Sequence, residues 1–404
     1  MICSACGESS LERLCSLGSI PLCDDFRELA VDSLGLPTFR LAPNLCPRCH
    51  HIELQEKPDC SSVYSRYLYR SRHSVDLSSH FSFYADSVTR FFEGLTGCRP
   101  KSVLDVGCND GLLLDHFHKK IPNAVLHGLD PSPAINDVSK KIITHNVFFT
   151  EDYITSKQFS NTFDIVVCNN TLANISQVEQ FFNLLGSCLN DSGLLVVETG
   201  YGPATFINSV WDMVNHEHYH YFSIEGLSLL ARRCGLALVK AEIQKTKGGS
   251  IRAYFVKRQT QYVDYFEKIN DLQGYESALF VNCDSFADSV QTRLDSARKH
   301  CELIKNSVSK IVHFGASAGT TVLVHSLGFS DLSGKIADDN RSRHGLYLPG
   351  TSAQVTGFDE SCIDGETTVI IWSWRFAREI VNRHPAINKA TEIIYGNTFR
   401  PMWR

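Results

Sequence analysis

The sequence predicts an α/β protein with a parallel sheet at its centre, a small cysteine-rich unit before it and a second α/β lobe after it. Three observations carry this expectation. Over residues 99–240 short apolar runs alternate with helical patterns, and the first run closes in an Asp-x-Gly-x-x-x-Gly turn at Asp105 to Gly111. Two Cys-x-x-Cys pairs, Cys3/Cys6 and Cys46/Cys49, bracket the N-terminal unit. A strand, a glycine-rich turn and a helix recur in the second half, from Ile311 to Thr321.

The chain has 404 residues, a formal net charge of -5, 43% hydrophobic and 21% charged residues. At about 100–200 residues per domain, this length holds two to four domains. With 24 Phe, 14 Tyr and 4 Trp there is enough apolar surface to offset chain entropy, which excludes disorder as the dominant state. The mild acidic balance carries no electrostatic footprint for nucleic acid. It leaves room for anionic ligands held by a few Arg, Lys or helix N-termini. No run approaches the ~18 consecutive apolar residues of a spanning helix, so no membrane partner is expected. Met1 to Cys6 has neither the basic start nor the apolar run of a secretory signal, and a cytoplasmic location is expected.

The N-terminal unit comes first. The chain has 15 cysteines, an odd number, which argues against a disulfide scaffold. Cys3, Cys6, Cys15, Cys23, Cys46, Cys49 and Cys60 crowd into its first stretch, and that crowding points to metal. Each Cys-x-x-Cys pair presents two thiolates to one ion, so Cys3, Cys6, Cys46 and Cys49 would complete a tetrahedral zinc site. Four thiolates leave no open position, which makes the role structural. A unit too small for its own core would draw folding energy from the ion. His50, His51, Cys15 and Cys23 are rival ligands, while Cys98, Cys168, Cys188 and Cys234 read as reduced core thiols. Residues 61–98 are aromatic and polar, and become helix-like from Phe81 to Phe92.

The glycine turn carries the strongest signal. A strand-like run from Ser102 ends at Asp105, Gly107 permits a tight turn with positive φ, and Gly111 lets the following helix approach a ligand. The next run, Val125 to Leu129, ends at Asp130, an acid placed to accept hydrogen bonds from both hydroxyls of an adenosine ribose. The turn is not the Gly-x-Gly-x-x-Gly form that cradles a pyrophosphate, so NAD is disfavoured. A third run, Phe163 to Cys168, exits into Asn169 and Asn170, and a fourth, Gly193 to Glu198, exits toward Tyr201. The carboxyl ends of parallel strands face the ligand crevice. This spacing resembles motifs I and II of class I S-adenosylmethionine (SAM) methyltransferases. It implies SAM as cofactor, framed by Asp105, Gly107, Asn109, Gly111, Asp130, Asn169 and Asn170.

Asn215-His216-Glu217-His218-Tyr219-His220 concentrates imidazoles beside a carboxylate. Methyl transfer to carbon needs a proton removed, and His is the common base near neutral pH. One reading makes His218 the base with Glu217 assisting. A second takes His216, His218 and His220 as metal ligands alternating on one strand face. A third is a polar surface turn before the helix that starts near Ser223.

Beyond residue 240, a strand is expected at Ser250 to Phe255, a long helical stretch over 259–308, and strands at Ile311 to Phe314 and Thr368 to Trp372. The second glycine turn, Gly315 to Thr321, either binds phosphate at a helix N-terminus or belongs to a lobe that packs on the first.

Taken together, these residues resemble the SAM-dependent C-methyltransferases of nucleotide-linked deoxysugars, the type that methylates C3 of a TDP-4-keto-6-deoxysugar. The likeness runs through Leu17 to Leu22, Cys46 to Leu54, Tyr67 to Ser71, His80, the SAM motif, Asn170 to Ala173, His216 to His218, Lys247 to Arg252, Asp338 to Asn340 and Gly345 to Thr351. It implies a class I SAM methyltransferase Rossmann-like domain over 66–240. An N-terminal zinc-binding lobe over 1–65 and a C-terminal Rossmann-like lobe over 241–404 would flank it, with the sugar nucleotide between them. It implies proton abstraction beside a ketone by His218, with Glu217 and Asn215 in the catalytic set. Candidate substrate contacts are Tyr67, Tyr69, His80, Asn174, Tyr201, Arg252, Arg341 and Tyr347. The sequence departs from the family pattern at Asn215, often Tyr there, at Asn174, often His, and in the second glycine turn, which lacks the usual Lys. Rival expectations are a non-sugar or oxygen acceptor and a non-catalytic SAM-binding protein. A monomer is the expected state.

Overall fold

The computed structural model describes residues 2–64, 69–73, 77–258 and 267–402. At its centre lies a seven-stranded sheet. Its strands are β1 (Ser102–Val106), β2 (Val125–Leu129), β3 (Ile143–His145), β4 (Phe163–Asn169), β5 (Leu189–Gly200), β6 (Leu236–Gln244) and β7 (Ser250–Lys257). They lie in the order β6-β7-β5-β4-β1-β2-β3. The first five run parallel, and β7 is antiparallel to both its neighbours. The order reverses beside β1, and such a switch point leaves a crevice at the carboxyl ends of the strands.

Period-two alternation sorts these strands between two helical layers. Val103, Ile165, Val167, Leu194 and Val196 pack with Tyr84, Val88 and Phe92 of α1 (Leu77–Thr96) and Leu113 and Phe117 of α2 (Leu112–Lys120). Leu104, Val166, Cys168, Leu195 and Val197 pack with Phe182 and Leu185 of α3 (Val178–Cys188) and Leu227 and Leu230 of α4 (Ile224–Arg233). The helix expected from Phe81 is thus the inner part of α1.

One expected boundary is corrected. The run at Ser250 was expected to open the C-terminal lobe, but β7 inserts into the central sheet, in register with β5 from Gly200↔Ser250 to Leu194↔Val256. It is buried almost to its end, so its backbone needs a ladder on each side. The central domain therefore runs on to Lys257 instead of closing at residue 240.

The N-terminal unit forms a four-stranded sheet from Glu12–Arg13, Pro43–Leu45, Ile52–Leu54 and His220–Tyr221. The last of these comes from the central domain and pairs with Ile52 and Glu53. Among the described residues the unit has no core of its own. Leu17, Ile20 and Leu41 share one with Trp211 and with Val322 and Leu348 of the C-terminal lobe. Cys3, Cys46 and Cys49 pack into the core that holds Leu227 and Leu230 of α4.

The C-terminal lobe carries β8 (Ile311–Phe314), β9 (Ser333–Ala337), β10 (Ser352–Thr356), β11 (Thr368–Ile371), β12 (Glu392–Tyr395) and β13 (Arg400–Pro401), ordered β10-β9-β8-β11-β12-β13. Its helices include α5 (Glu267–Leu279), α6 (Cys283–Ser307) and α7 (Ala318–Leu327). The expected single helical stretch is broken where the Asn282 side chain accepts the Ser285 N–H and caps α6; residues 259–266 lie outside the described residues. The echo between the two halves is structural. Gly107 N–H donates to the Leu129 carbonyl at 2.7 Å, and Gly315 N–H donates to the Ala337 carbonyl at 2.7 Å. Asp130 accepts the Asn109 and Ser132 amides, and Asp338 accepts the Ala316 and Asn340 amides. Among the described residues no helix is long and apolar enough to cross a membrane.

Ser223 joins the N-terminal unit to the central domain. Its hydroxyl accepts the Gly226 N–H at 2.8 Å, capping α4, and donates to the Cys49 carbonyl at 2.5 Å. Ser223→Ala is expected to lower stability by about 1–2 kcal/mol, read as a lower urea midpoint at unchanged slope.

Candidate active site

The crevice beside β1 is a cavity of about 480 Å³, within the span of ligand pockets. Asp105, Gly107, Asn109, Asp130, Asn169 and Asn170 line it, and Gly111 stands just behind as the left-handed N-cap of α2. Gly107 has φ 81°, and a Cβ there would lie 2.0 Å from Thr171 Oγ1. Asn109 and Asn170 are also left-handed, at φ 50° and 53°, a strain that Asn tolerates better than most residues. Asp130 is held ready: its Oδ2 accepts Asn109 N–H at 2.8 Å and its Oδ1 accepts Ser132 N–H at 2.8 Å. The Ser132 hydroxyl also donates to Oδ1, and Oδ2 keeps a second lone pair for a ribose hydroxyl. Burial, and then Asp130, pushes the Asp105 carboxyl up to about 8. Both amide atoms of Asn169 and the Oδ1 of Asn174 are buried without a partner among the described residues. Orphaned polar atoms in such a wall are what a polar ligand would satisfy, so the residues fit SAM.

Sequence reasoning missed part of this wall. Ser71 N–H donates to Asn109 Oδ1 at 3.0 Å, and Phe148, Phe149 and Phe181 supply apolar surface. The exit of β3 precedes Phe148 and Phe149, so the rule that ligands gather at strand ends could have found them. Tyr69 and Asn174, both expected at the substrate, line the same cavity. Tyr67 lies outside the described residues.

His218 lines a second, smaller cavity with Met213, Thr199, Gly249 and Asn170. Asn170 thus stands in the wall of both cavities. His218 Nδ1 lies 3.0 Å from the Met213 carbonyl oxygen. A carbonyl only accepts, so Nδ1 carries the proton and Nε2 is the basic nitrogen of the ring. The Glu217 carboxylate accepts the Asp24 N–H at 3.2 Å, from the N-terminal unit. Burial, with Asp24 next, pushes its pKa up to about 8. Asn215 Oδ1 accepts the Glu217 N–H at 3.0 Å, so this side chain closes the turn.

The three histidines diverge, which removes the reading of a metal site made from them. His216 is buried edge-on to Phe39. His220 Nε2 faces the Ile175 carbonyl at 3.0 Å, and its Nδ1 faces His51 Nε2 at 3.1 Å. His51 is thereby engaged, and His50 stacks on Phe280, so neither replaces a cysteine at the metal. The four expected thiols do converge. Cys3 Sγ is 3.7 Å from Cys49 Sγ, and Cys6 Sγ is 3.6 Å from Cys46 Sγ. Tetrahedral zinc with Zn–S bonds of about 2.3 Å sets its sulfurs about 3.8 Å apart, so the cluster fits the ion.

Of the other expected contacts, Arg252 and Tyr201 are corrected by their burial. Arg252 is fully buried, not at a nucleotide surface: its Nε donates to Glu198 Oε2 at 2.8 Å and its guanidinium lies 4.1 Å from the Tyr84 ring centroid. His80 Nε2 donates to the other oxygen of Glu198 at 2.7 Å. Burial alone would raise the Glu198 carboxyl, but His80 and Arg252 outweigh it and hold it below its usual value. Tyr201 is buried in the α3–α4 core and lines neither cavity. Arg341 is exposed on a turn, and Tyr347 pairs through its backbone with Arg27. The second glycine turn is closed to phosphate, because a Cβ at Gly319 would meet Asp212 Cβ at 2.8 Å.

Gly107→Ala is expected to weaken SAM binding on the order of 100-fold by calorimetry. Gly94→Ala, within α1 and with open space around it, should leave SAM binding unchanged.

Residues 77–241 match the family model described as a methyltransferase domain, and residues 245–395 match the C-methyltransferase C-terminal domain. C-methyltransferase NovU of Streptomyces niveus is 22% identical over 393 residues, 94% of this chain and 91% of that protein. The mitochondrial ubiquinone biosynthesis O-methyltransferase of Schizosaccharomyces pombe is 26% identical over 120 residues, 28% of this chain and 43% of that protein. The solved 1,6-didemethyltoxoflavin-N1-methyltransferase of Burkholderia thailandensis, with S-adenosylhomocysteine bound, aligns loosely, at 14% identity and a TM-score of 0.38 over 53% of this chain and 98% of that one. Two methyltransferase models in tandem and a C-methyltransferase aligned almost end to end converge on one assignment: the chain is a SAM-dependent methyltransferase of the C-methyltransferase family.

Proposed function

We propose that this enzyme methylates carbon, C3, of a nucleotide-linked 4-keto-6-deoxysugar, with His218 as the base that generates the carbon nucleophile. The observation that carries this reading is Asn170, which stands in the walls of both the cofactor cavity and the His218 cavity. A base with its proton-accepting nitrogen set by a backbone carbonyl thus lies one side chain from the cofactor crevice. The sugar class comes from the sequence resemblance, which runs nearly the whole length of the chain, as does the similarity to NovU.

Bound SAM supplies an electrophilic methyl group on a positively charged sulfur, with Asp105, Gly107, Asn109, Asp130 and Asn169 as the residues to hold it. His218 Nε2 takes the C3 proton, which the neighbouring C4 ketone makes acidic by sharing the electron pair left behind. The Met213 carbonyl holds the ring and supports the charge it gains. Asn174, with its Oδ1 orphaned in the cavity wall, is the residue to fix an acceptor hydroxyl. Glu217, raised to about 8, is the group to pass the proton onward, across the turn that Asn215 closes. The space beside His218 is about 20 Å³, room for a water and not a sugar ring. The ring of the acceptor therefore belongs at the Asn170–Asn174 end of the larger cavity, its nucleotide toward the C-terminal lobe and only its reacting edge at His218.

The test is a screen of TDP-, GDP-, CDP- and UDP-linked 4-keto-6-deoxysugars with SAM, read by mass gain and product NMR. A new C–methyl at C3 is expected, with deuterium wash-in at C3 that does not need SAM. His218→Asn should cut turnover by about 100- to 10,000-fold and leave SAM affinity within about two-fold. A methyl on oxygen, with no exchange at carbon, would overturn the reading in favour of an oxygen acceptor.

The cysteine cluster is proposed as a structural zinc site, with no coordination position left for chemistry. Through Cys49 it ties to Ser223, and Ser4 N–H donates to Glu53 at 2.8 Å. The purified chain should contain one zinc per molecule by elemental analysis. Stripping it with a strong chelator should lower the unfolding midpoint. A metal-free chain of undiminished stability would remove the ion from the fold.

A further inference from the structure

The C-terminal lobe repeats the hardware of the cofactor crevice. Its glycine turn, its acid at the end of the second strand and its capped helix α7 reproduce the geometry found at Gly107 and Asp130. In the central domain that turn faces a cavity. In the C-terminal lobe, the same place is filled by Asp212 of the central domain. A Cβ added to Gly319 would meet Asp212 Cβ at 2.8 Å, its carbonyl oxygen at 3.0 Å and Oδ2 at 3.3 Å. The carboxylate therefore lies against the first turn of α7, where the helix dipole favours negative charge. It is fixed from the other side as well. Trp374 Nε1 donates to Oδ1 at 3.1 Å, and Arg375 Nη2 pairs with Oδ2 at 3.0 Å. Both partners follow β11, so the whole clasp belongs to the C-terminal lobe. Asp212 itself is only 6% exposed.

The consequence lies one residue further along the chain. The carbonyl of Met213 is the acceptor that faces His218 Nδ1 at 3.0 Å, and Tyr221 Oη donates to it at 3.2 Å. The backbone that carries this carbonyl has little freedom once Asp212 is clamped, because Met213 N–H and Val214 N–H close turns on Val210 and Trp211. We propose that Asp212 is a positioning residue: docked into the glycine turn of the C-terminal lobe in the place a phosphate would take, it fixes the Met213 carbonyl and through it the tautomer and orientation of the His218 ring. The duplicated turn thus serves as a socket for the protein's own carboxylate, and the C-terminal lobe shapes the base without touching it. This inference rests on His218 acting as the base in methyl transfer, but the state of its ring can be read without any acceptor.

The experiment uses the full chain with SAM bound and long-range ¹H–¹⁵N NMR of its histidines. The His218 signals are assigned by their loss in His218→Asn. In the parent protein His218 is expected as a single tautomer protonated at Nδ1. Asp212→Ala removes the clasp, and Gly319→Ala pushes on the same carboxylate from the lobe opposite. Both should give a mixture of tautomers, and turnover of the acceptor found in the screen should fall on the order of tenfold to 100-fold while SAM affinity holds. Asp212→Asn keeps the acceptor for Trp374 and loses the charge facing Arg375, so it should fall between. Unchanged His218 tautomers in a folded Gly319→Ala or Asp212→Ala protein would overturn the proposal, even if turnover fell, since a merely structural strut would lower the rate without touching the ring. Should Asp212→Ala fail to fold, Gly319→Ala and Asp212→Asn decide the matter on the same signal. If no acceptor is turned over by any variant, the sugar reading fails, and the tautomer result still decides the role of Asp212.

Discussion

Burying the segment from Trp211 to Tyr221 between three lobes obliges its polar groups to find partners inside the protein, and the rest of the molecule is arranged around meeting that obligation. Asp212 is met by Trp374 and Arg375 of the C-terminal lobe. The Met213 carbonyl is met by His218 and Tyr221. Glu217 is met by the backbone of Asp24, and His220 by Ile175 and His51. His216 is buried edge-on to Phe39, and burial pushes that imidazole toward its neutral form against the opposing pull of the Arg40 backbone and Glu56. The N-terminal unit owes its sheet to this segment too, since His220–Tyr221 is its fourth strand. A small cysteine-rich unit that shares its core with the other lobes is held here because it completes the burial of a segment of the central domain.

The two α/β lobes show how one local solution serves different ends. In both, a glycine with positive φ lets the chain leave the first strand sharply and return its N–H to the end of the second. In both, an acid at the end of that second strand gathers the amides of the turn. What separates them is the strand exit alongside. Beside Gly107, the β4 exit presents Asn169 with its amide unsatisfied and Asn170 in a left-handed turn, which keeps a polar wall open. An added Cβ would be crowded at both turns, by Thr171 at Gly107 and by Ser373 at Gly315, but the β11 exit goes on to the Trp374–Arg375 pair that reaches for Asp212. An open wall leaves a crevice, and a wall with its own counter-charge leaves a docking joint.

How much of this could be read from the sequence depended on the range of the interaction involved. Short-range signals carried well. The Asp105–Gly111 turn, the acid at Asp130 and the asparagines at the β4 exit need only a strand followed by a tight turn, and they line or frame one cavity. The paired cysteines, forty residues apart, were legible because two thiolates at a Cys-x-x-Cys spacing point to one ion whatever lies between. Failures came where a distant strand decides. Nothing local tells Ser250–Lys257 that it will sit between β5 and β6, and that placement is what buries Arg252 against Glu198 and Tyr84. The alternation of His216, His218 and His220 reads as one face of a strand, but only His220 is in a strand; the other two lie in a turn that aims them apart. The interruption at Asn282 was a local signal overlooked, a capping residue inside an otherwise continuous helical pattern.

The two asparagines that depart from the family pattern illustrate what an amide can do that a larger ring cannot. Asn215 folds its side chain back on its own backbone, accepting the Glu217 N–H and lying with Nδ2 3.4 Å from His218 Nδ1. A phenol oxygen three bonds further from the backbone cannot close that short ring, so a Tyr at this position would leave the turn to be held by other means. The turn that carries His218 is therefore closed by its own side chain in this chain. Asn174 acts in the same sense at the other cavity, where its short side chain leaves Oδ1 orphaned in the wall. Both exchanges trade a group that can titrate for one that only hydrogen-bonds. On the proposed reading, proton transfer then falls on two groups: the ring of His218, which faces a carbonyl, and the carboxyl of Glu217, raised by burial and by Asp24 to about 8.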